Sequence, residues 1–266
     1  MERIGLIAGG GELPIFFANE ARKRGAKIIG FAIKEMALPE FDKACDRCHR
    51  LSIWQVKKFI FLLLAERIKK IAMLGKVDKS VIYSRTEKDE EAVKILEGSS
   101  DRSDYGLLDK ITKEFSKLGI EVINGMEYLS DLVPEKGILT KNFPTDSEYE
   151  DINFGVRIAR EIARLDIGQT VVVKNKAVVT VEAMEGTDDT INRAADICGN
   201  GFTVAKVSRP KQDMRWDVPV VGPSTIELIA VKGGKALAIE EKRMFLVDKE
   251  SSIRIADQNG ISIVAV

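Results

Sequence analysis

An apolar run of strand length, Arg3–Ala8, ends on Gly9, Gly10 and Gly11 and passes directly into helical spacing over 12–24, with Pro14 tolerated in the first turn. The succession then recurs. Residues 27–33 read as a second buried strand, 55–69 as an amphipathic helix and 71–74 as a third strand. A helix over 105–118, closed by Gly119, leads to a strand at 120–123. Here each strand is followed by a helix rather than by a tight turn. The alternation predicts a parallel sheet with helices on both faces.

The pattern breaks over 133–148, where Pro134, Gly137 and Pro144 stand among short polar residues, the composition of a linker. Beyond it the reading is mixed. A helix over 149–166 precedes strands at 170–174 and 177–182, joined by Asn175-Lys176 as a hairpin. Thr187 reads as the N-cap of a helix to 198, with Asp188 and Asp189 in its first turn. A strand at 202–207, a helix at 225–232, strands at 236–239 and 244–247, a helix at 249–258 and a strand at 261–264 complete the chain. The 266 residues thus divide into an α/β pair: a Rossmann-like N-terminal domain, 1–135, and a C-terminal mixed α/β domain, 136–266.

The 41 basic residues are balanced by 41 acidic ones, so no global basic field marks a nucleic-acid partner. The N-terminus has no signal-peptide pattern, and the longest apolar run, 59–65, is too short to span a bilayer. A cytoplasmic protein is expected, free to touch a membrane surface. Cys45, Cys48 and His49 spell Cys-x-x-Cys-His, but haem attachment needs export and zinc needs two further ligands; His49 is the sole histidine. A coincidental pair in a connecting segment is the expectation.

The most informative stretch is 206–223. It sets Lys206, Arg209, Lys211 and Arg215 beside Asp213 and Asp217, and Pro210, Pro219 and Pro223 stiffen it. Held cations pair with phosphate and carboxylates hold hard metal ions, whereas a solvated loop stapled by Arg–Asp pairs explains the same residues blandly. Gly9, Gly10 and Gly11 suit close approach of a phosphate to a helix N-terminus, but Pro14 takes the third glycine place of a dinucleotide fingerprint. A tight turn needing glycine for geometry alone is the competing reading. Lys76, directly after the third strand, and Asp104, after the polar run 98–103, are both placed near the carboxyl edge of the sheet; Asp104 equally serves as a helix cap. Glu182 and Glu185, with Gly186, Thr187 and Asp188 at a helix N-terminus, suit a phosphate or metal site, or an ordinary strand–helix turn.

Taken together, Gly-Leu-Ile-Ala-Gly-Gly-Gly-Glu-Leu-Pro at 5–14, Gly-Lys-Val at 75–77, Val-Glu-Ala-Met-Glu-Gly-Thr-Asp at 181–188 and Gln-Asp-Met-Arg-Trp-Asp-Val-Pro-Val-Val-Gly-Pro at 212–223 resemble the UDP-2,3-diacylglucosamine pyrophosphatase family of the LpxI type. The resemblance implies a two-domain cytoplasmic enzyme of lipid A biosynthesis at the inner membrane face. It would cleave UDP-2,3-diacylglucosamine to 2,3-diacylglucosamine 1-phosphate and UMP with magnesium or manganese. The ligand would lie between the domains, and an essential Asp would fall in the motif matched by 212–217, on Asp213 or Asp217. Tyr105 departs from the pattern, standing where many relatives carry a second acid.

Pyrophosphate cleavage needs charge neutralisation and an oriented water more than covalent chemistry. Asp213 and Asp217 would hold the metal or orient the water, with Glu182 and Glu185 completing the metal shell. Arg215 would act at the reacting phosphates, and Lys206, Arg209 and Gln212 would bind substrate. The acyl chains need an apolar groove, for which 59–65 is one candidate and a core helix its preferred reading. A non-catalytic nucleotide-sugar or lipid-phosphate binding protein is the alternative, and a homo-oligomer is left open.

Overall fold

The computed structural model describes residues 2–77, 89–91, 93, 104–210 and 212–266, with side chains in the helix opening at 104 described from 108 onward. These form two compact units, Met1–Leu129 with Met214–Asp217, and Ser130–Asp213 with Val218–Val266. The polar run 98–103 and Lys211 lie outside the described residues.

The first unit runs β1 (Arg3–Ala8), α1 (Leu13–Lys23), β2 (Lys27–Ile33), α2 (Phe41–Ala44), β3 (Arg47–Leu51), α3 (Val56–Ala65), β4 (Lys70–Leu74), α4 (Asp104–Lys117) and β5 (Glu121–Val122). Its sheet has the order β3-β2-β1-β4-β5 and is parallel throughout. The pleat sends alternate residues of β2 to opposite faces. Ile29 and Phe31 join Leu63 of α3 and Phe115 of α4 in one core, whereas a Cβ on Gly30 would strike Phe41 and Cys45, so α2 covers the other face. Trp216 packs against the α3–α4 core.

β3 arises where the sequence suggested only a connection. Arg-Cys-His-Arg-Leu has no apolar alternation because an edge strand needs none, and only Leu51 is buried. The lone histidine is structural. His49 Nε2 lies 3.1 Å from Glu66 Oε1, which also accepts from Arg47 at 2.7 Å. Glu66 is only 7% exposed. Burial alone would raise its pKa, but Arg47 and His49 outweigh that and hold it below its ordinary value. A carboxylate depressed in the folded state stabilises above its unfolded pKa, and that contribution fades as pH falls through the folded one. Glu66→Gln should therefore flatten the acid limb of a Tm-versus-pH curve between about pH 5 and 3. Parallel curves for parent and variant would show that this ion cluster does not couple to folding.

The second unit runs β6 (Gly137–Ile138), α5 (Asp146–Arg164), β7 (Thr170–Lys174), β8 (Ala177–Val181), α6 (Thr187–Cys198), β9 (Thr203–Lys206), β10 (Val220–Val221), α7 (Pro223–Val231), β11 (Ala236–Ile239), β12 (Phe245–Leu246), α8 (Lys249–Gln258) and β13 (Ser262–Ala265). Its six-stranded sheet has the order β6-β13-β11-β9-β7-β8, with β9, β11 and β13 parallel and the others antiparallel; β10 and β12 pair separately. Ile152, Val156 and Ala159 of α5 cover one face, while Ile191, Ile226 and Ala256 of α6, α7 and α8 cover the other.

The hairpin stands as its Asn-Lys turn predicts. Asn175 and Lys176 both take positive φ, 50° and 59°, the geometry of a type I′ turn. The Asp151 carboxylate accepts both of their amides, at 2.9 and 2.6 Å. The stretch 133–148 is more ordered than a linker. It contributes β6 to the sheet, and Thr145 and Glu148 form a reciprocal capping box that starts α5 at Asp146.

Candidate functional site

In the first unit the glycine turn lies where the strand order reverses. β1 leads outward through β2 to β3, and β4 leads the other way to β5, so the carboxyl ends of β1 and β4 flank a topological switch point. Gly9, Gly10, Gly11 and Lys76 are all at this edge. The turn is closed by backbone pairing: Gly9 N donates to Leu74 O at 2.9 Å, Gly10 N to Lys76 O at 2.8 Å, and Lys76 N to Gly10 O at 2.9 Å. This approach demands glycine at position 9, since a Cβ there would sit 2.6 Å from the Lys76 carbonyl oxygen. Two glycine amides are thus spent on the fold. Gly11 and Glu12 follow, with Glu12 the N-cap of α1, whose first turn carries no acidic residue and no side-chain cap. Asp104 opens α4, and its side chain is outside the described set.

In the second unit several polar residues gather at the carboxyl edge of the parallel strands. Lys206 ends β9 and pairs in register with Thr170 of β7 and Ile239 of β11; β8 ends at the same edge, followed by Glu182. Lys206 and Glu182 are each only 7% exposed. The Thr187 hydroxyl donates to Glu182 Oε1 at 2.8 Å and accepts from Lys206 Nζ at 3.1 Å; the lysine also donates to Val220 O at 3.1 Å. Gln169 N donates to Glu182 Oε2 at 3.2 Å. A buried ammonium and carboxylate bridged by a hydroxyl form a partnered set of the kind burial requires.

The structure corrects the role expected of Thr187. Gly186, at φ 87°, is the N-cap of α6, and no side chain caps the helix. Thr187 is instead the first helical residue, and its hydroxyl turns back to the sheet edge. Asp188 is exposed beside it in the first turn. Glu185 faces away from this set. Its carboxylate takes the Ala183 amide at 3.0 Å and Arg193. Its own amide, then that of Ala183 and Arg193, hold its pKa below the ordinary value despite slight burial.

The base of the charged loop is pinned by residues the sequence did not single out. Glu240 Oε2 accepts from Ser208 N at 2.9 Å and from Ser208 Oγ, which in turn accepts from Arg243 Nε at 2.6 Å. Arg160 reaches the other oxygen of Glu240 at 3.4 Å. The available signal was register, since Ile239 pairs with Lys206 and places Glu240 beside the start of the loop. Gln212 is buried, and it and Arg209 bond each other reciprocally, with Arg209 N donating to Gln212 Oε1 at 2.8 Å and Gln212 N to Arg209 O at 3.0 Å. Arg209 also pairs with Asp166 at 3.4 Å. Asp213, Arg215 and Asp217 are half-buried, and each is engaged in the fold.

Among the described residues no three carboxylate, thiol or imidazole groups converge to hold a metal. Each oxygen of Glu182 and Glu185 already accepts a hydrogen bond, so this pair does not form a ready-made cage.

These features define a two-unit α/β protein whose sheets each present polar groups or helix N-termini at their carboxyl edges. Residues 3–132 match the family model described as the LpxI N-terminal domain, and residues 135–264 the LpxI C-terminal domain. The whole chain aligns at 32% identity with 98% of the UDP-2,3-diacylglucosamine pyrophosphatase LpxI of Caulobacter vibrioides. The chain belongs to the LpxI family. Likeness to solved structures is slight. N5-carboxyaminoimidazole ribonucleotide synthetase from Thermotoga maritima gives a TM-score of 0.24 at 20% identity, over 70% of this chain and 42% of that one. The biotin carboxylase domain of a thermophilic 2-oxoglutarate carboxylase gives 0.29 at 13%, over 65% and 35%. The chain spans less than half of either, and overlap at that level defines neither fold nor function.

Proposed function

We propose that this protein hydrolyses the pyrophosphate of UDP-2,3-diacylglucosamine, giving 2,3-diacylglucosamine 1-phosphate and UMP, as a step of lipid A biosynthesis at the cytoplasmic face of the inner membrane. The observation that carries this reading is the end-to-end relation to the Caulobacter pyrophosphatase, which spans both units and every motif of the candidate site. The chemistry of the second unit's sheet edge supports it. Lys206 brings a buried cation to a helix N-terminus, and that pairing favours phosphate oxygens. Arg209 and Arg215 add donors from the loop, with Gln212 holding the loop's turn through Arg209. Gly186, Thr187 and Asp188 form the helix start that meets the ligand.

A divalent cation, magnesium or manganese, would neutralise charge on the pyrophosphate oxygens, drawing on Asp213 and Asp217. One of these two carboxylates would orient the attacking water and take its proton. Water adds across one P–O–P linkage, and the bridging oxygen leaves with one phosphate.

The test is direct. Pure protein incubated with UDP-2,3-diacylglucosamine and magnesium should release UMP and the sugar 1-phosphate in equal amounts, read by chromatography. Release of UDP would move the cut to the glycosidic bond. Saturable binding with no product under any divalent cation would replace hydrolysis by a binding function.

A further inference from the structure

The spacing of Cys45 and Cys48 reads as coincidence in a connecting segment, but the fold brings the two residues together. Cys45 ends α2, and Cys48 lies in β3. Cys48 pairs in register with Gly30 of β2. Paired residues of neighbouring parallel strands lie about 4.8 Å apart and send their side chains to the same face. The space where Gly30 has no side chain is filled by Cys45, since a Cβ on Gly30 would sit 2.7 Å from Cys45 Sγ. Both cysteines therefore present their sulfurs on the α2 face of the sheet, one against Gly30 and the other beside it. Arg47 and His49 take the opposite face, where they reach Glu66.

The backbone between the two cysteines is held as well. Asp46 N donates to Ile28 O at 2.9 Å, and Asp46 Oδ2 accepts from Ile28 N at 2.9 Å. Asp42 of α2 adjoins Cys48 on the same face. Its carboxylate accepts from Arg50 Nε at 3.1 and 3.0 Å and from the Cys48 thiol. The hydrogen bond to Cys45, then burial, then Asp42 push the Cys48 pKa up, so Cys48 stays a thiol near neutral pH. Both cysteines are free and partly exposed, within reach of a small reagent. Among the described residues no three His, Cys, Asp or Glu groups gather to hold a metal, and two thiols alone do not close a zinc site. Two accessible thiols held at one place are suited to exchange with a disulfide.

We propose that Cys45 and Cys48 form a dithiol site that closes to a disulfide by exchange with a low-molecular-weight disulfide such as oxidised glutathione. Cys45 makes the first attack, because Cys48 is held protonated. The Cys45 thiolate displaces one small thiolate and forms a mixed disulfide. Cys48 then attacks Cys45 Sγ and releases the second small thiolate. Each cysteine gives its proton, through solvent, to the thiolate that leaves. Two electrons pass from the protein to the small disulfide, and one S–S bond is exchanged for another. This chemistry uses none of the residues assigned to pyrophosphate cleavage, so the two proposals stand or fall separately.

Reduced full-length protein incubated with excess oxidised glutathione should lose two of its three thiols to alkylation, with an intact mass lower by two hydrogens. Trypsin cuts after Arg47, so the oxidised protein should yield the peptides of Cys45 and Cys48 joined by a bond that dithiothreitol breaks. Cys48→Ser should stop at a mixed disulfide on Cys45. Cys45→Ser should take up glutathione at Cys48 more slowly, by about tenfold or more. Cys198→Ser should close the pair as the parent does. Circular dichroism melts establish that the variants are folded. At a fixed glutathione ratio, the proportion of disulfide to dithiol should fall by about tenfold when the parent is unfolded in urea, because the fold holds the sulfurs together. Retention of both thiols, a disulfide that takes in Cys198 or a second chain, or equal closure in urea would each overturn the proposal. So would faster uptake of glutathione by Cys45→Ser than by Cys48→Ser.

Discussion

Asp213→Ala and Asp217→Ala are expected to leave a folded protein and, in at least one case, to lower kcat by about 10²-fold or more. The magnitude follows from the role assigned. A carboxylate that positions a cation or a water at a pyrophosphate acts only as charge redistributes, so its loss appears in kcat rather than in binding. Both side chains are half-buried and engaged in the fold, so thermal melts on each variant must accompany the kinetics. Asp→Asn at the sensitive position keeps the size and one acceptor oxygen while removing the charge, and should reproduce the loss. Near-normal turnover by both alanine variants would move the reacting centre away from the charged loop.

Removal of divalent cations should have the largest effect of all. Excess chelator is expected to abolish turnover, and magnesium or manganese to restore it. The described carboxylates offer no closed cage, so the cation should bind weakly without substrate and more tightly with it. The concentration of magnesium giving half-maximal rate should therefore fall as substrate rises. Full activity in excess chelator would leave Lys206 and the arginines to neutralise the pyrophosphate unaided.

The strand–helix alternation of the first unit was legible because a parallel sheet buries its central strands on both faces. β1, β2 and β4 accordingly read as near-continuous apolar runs. β3 was not legible, because an edge strand of Arg, Cys and His residues presents no period to read. The hairpin of the second unit was announced by Asn175-Lys176, a local signal. The short strands β6, β10 and β12 carry two residues each, too few for a pattern, and exist only because their partners hold them.

The same division applies at the site. Lys206, Glu182 and Thr187 were each visible as members of motifs. That one hydroxyl joins the lysine to the glutamate depends on the register of β7, β8 and β9, which no local spacing encodes. Thr187 also shows how a local rule yields to its neighbourhood. Threonine before a helix normally caps it, but Gly186 can take a positive φ and fill that place, which frees the hydroxyl for the sheet edge. Glu240 and Ser208 meet through the same kind of register, that of β9 and β11. The apolar stripe of α3 was visible as a run, and periodicity accounts for its Leu63 face but not for Phe61 and Leu64.

The grouping of Met214–Asp217 with the first unit has a consequence for how this chain is divided by experiment or by evolution. Trp216 packs against the core of a unit made of Met1–Leu129 and Met214–Asp217, so the stretch coding for that unit is not one uninterrupted piece. A gene cut near residue 130 would yield an N-terminal product lacking an indole that packs against its core, and a C-terminal product carrying that indole away from the surface it covers. The two products mixed together should regain more thermal stability than either has alone, and a transfer of residues 1–129 into another protein would leave the Trp216 contact behind.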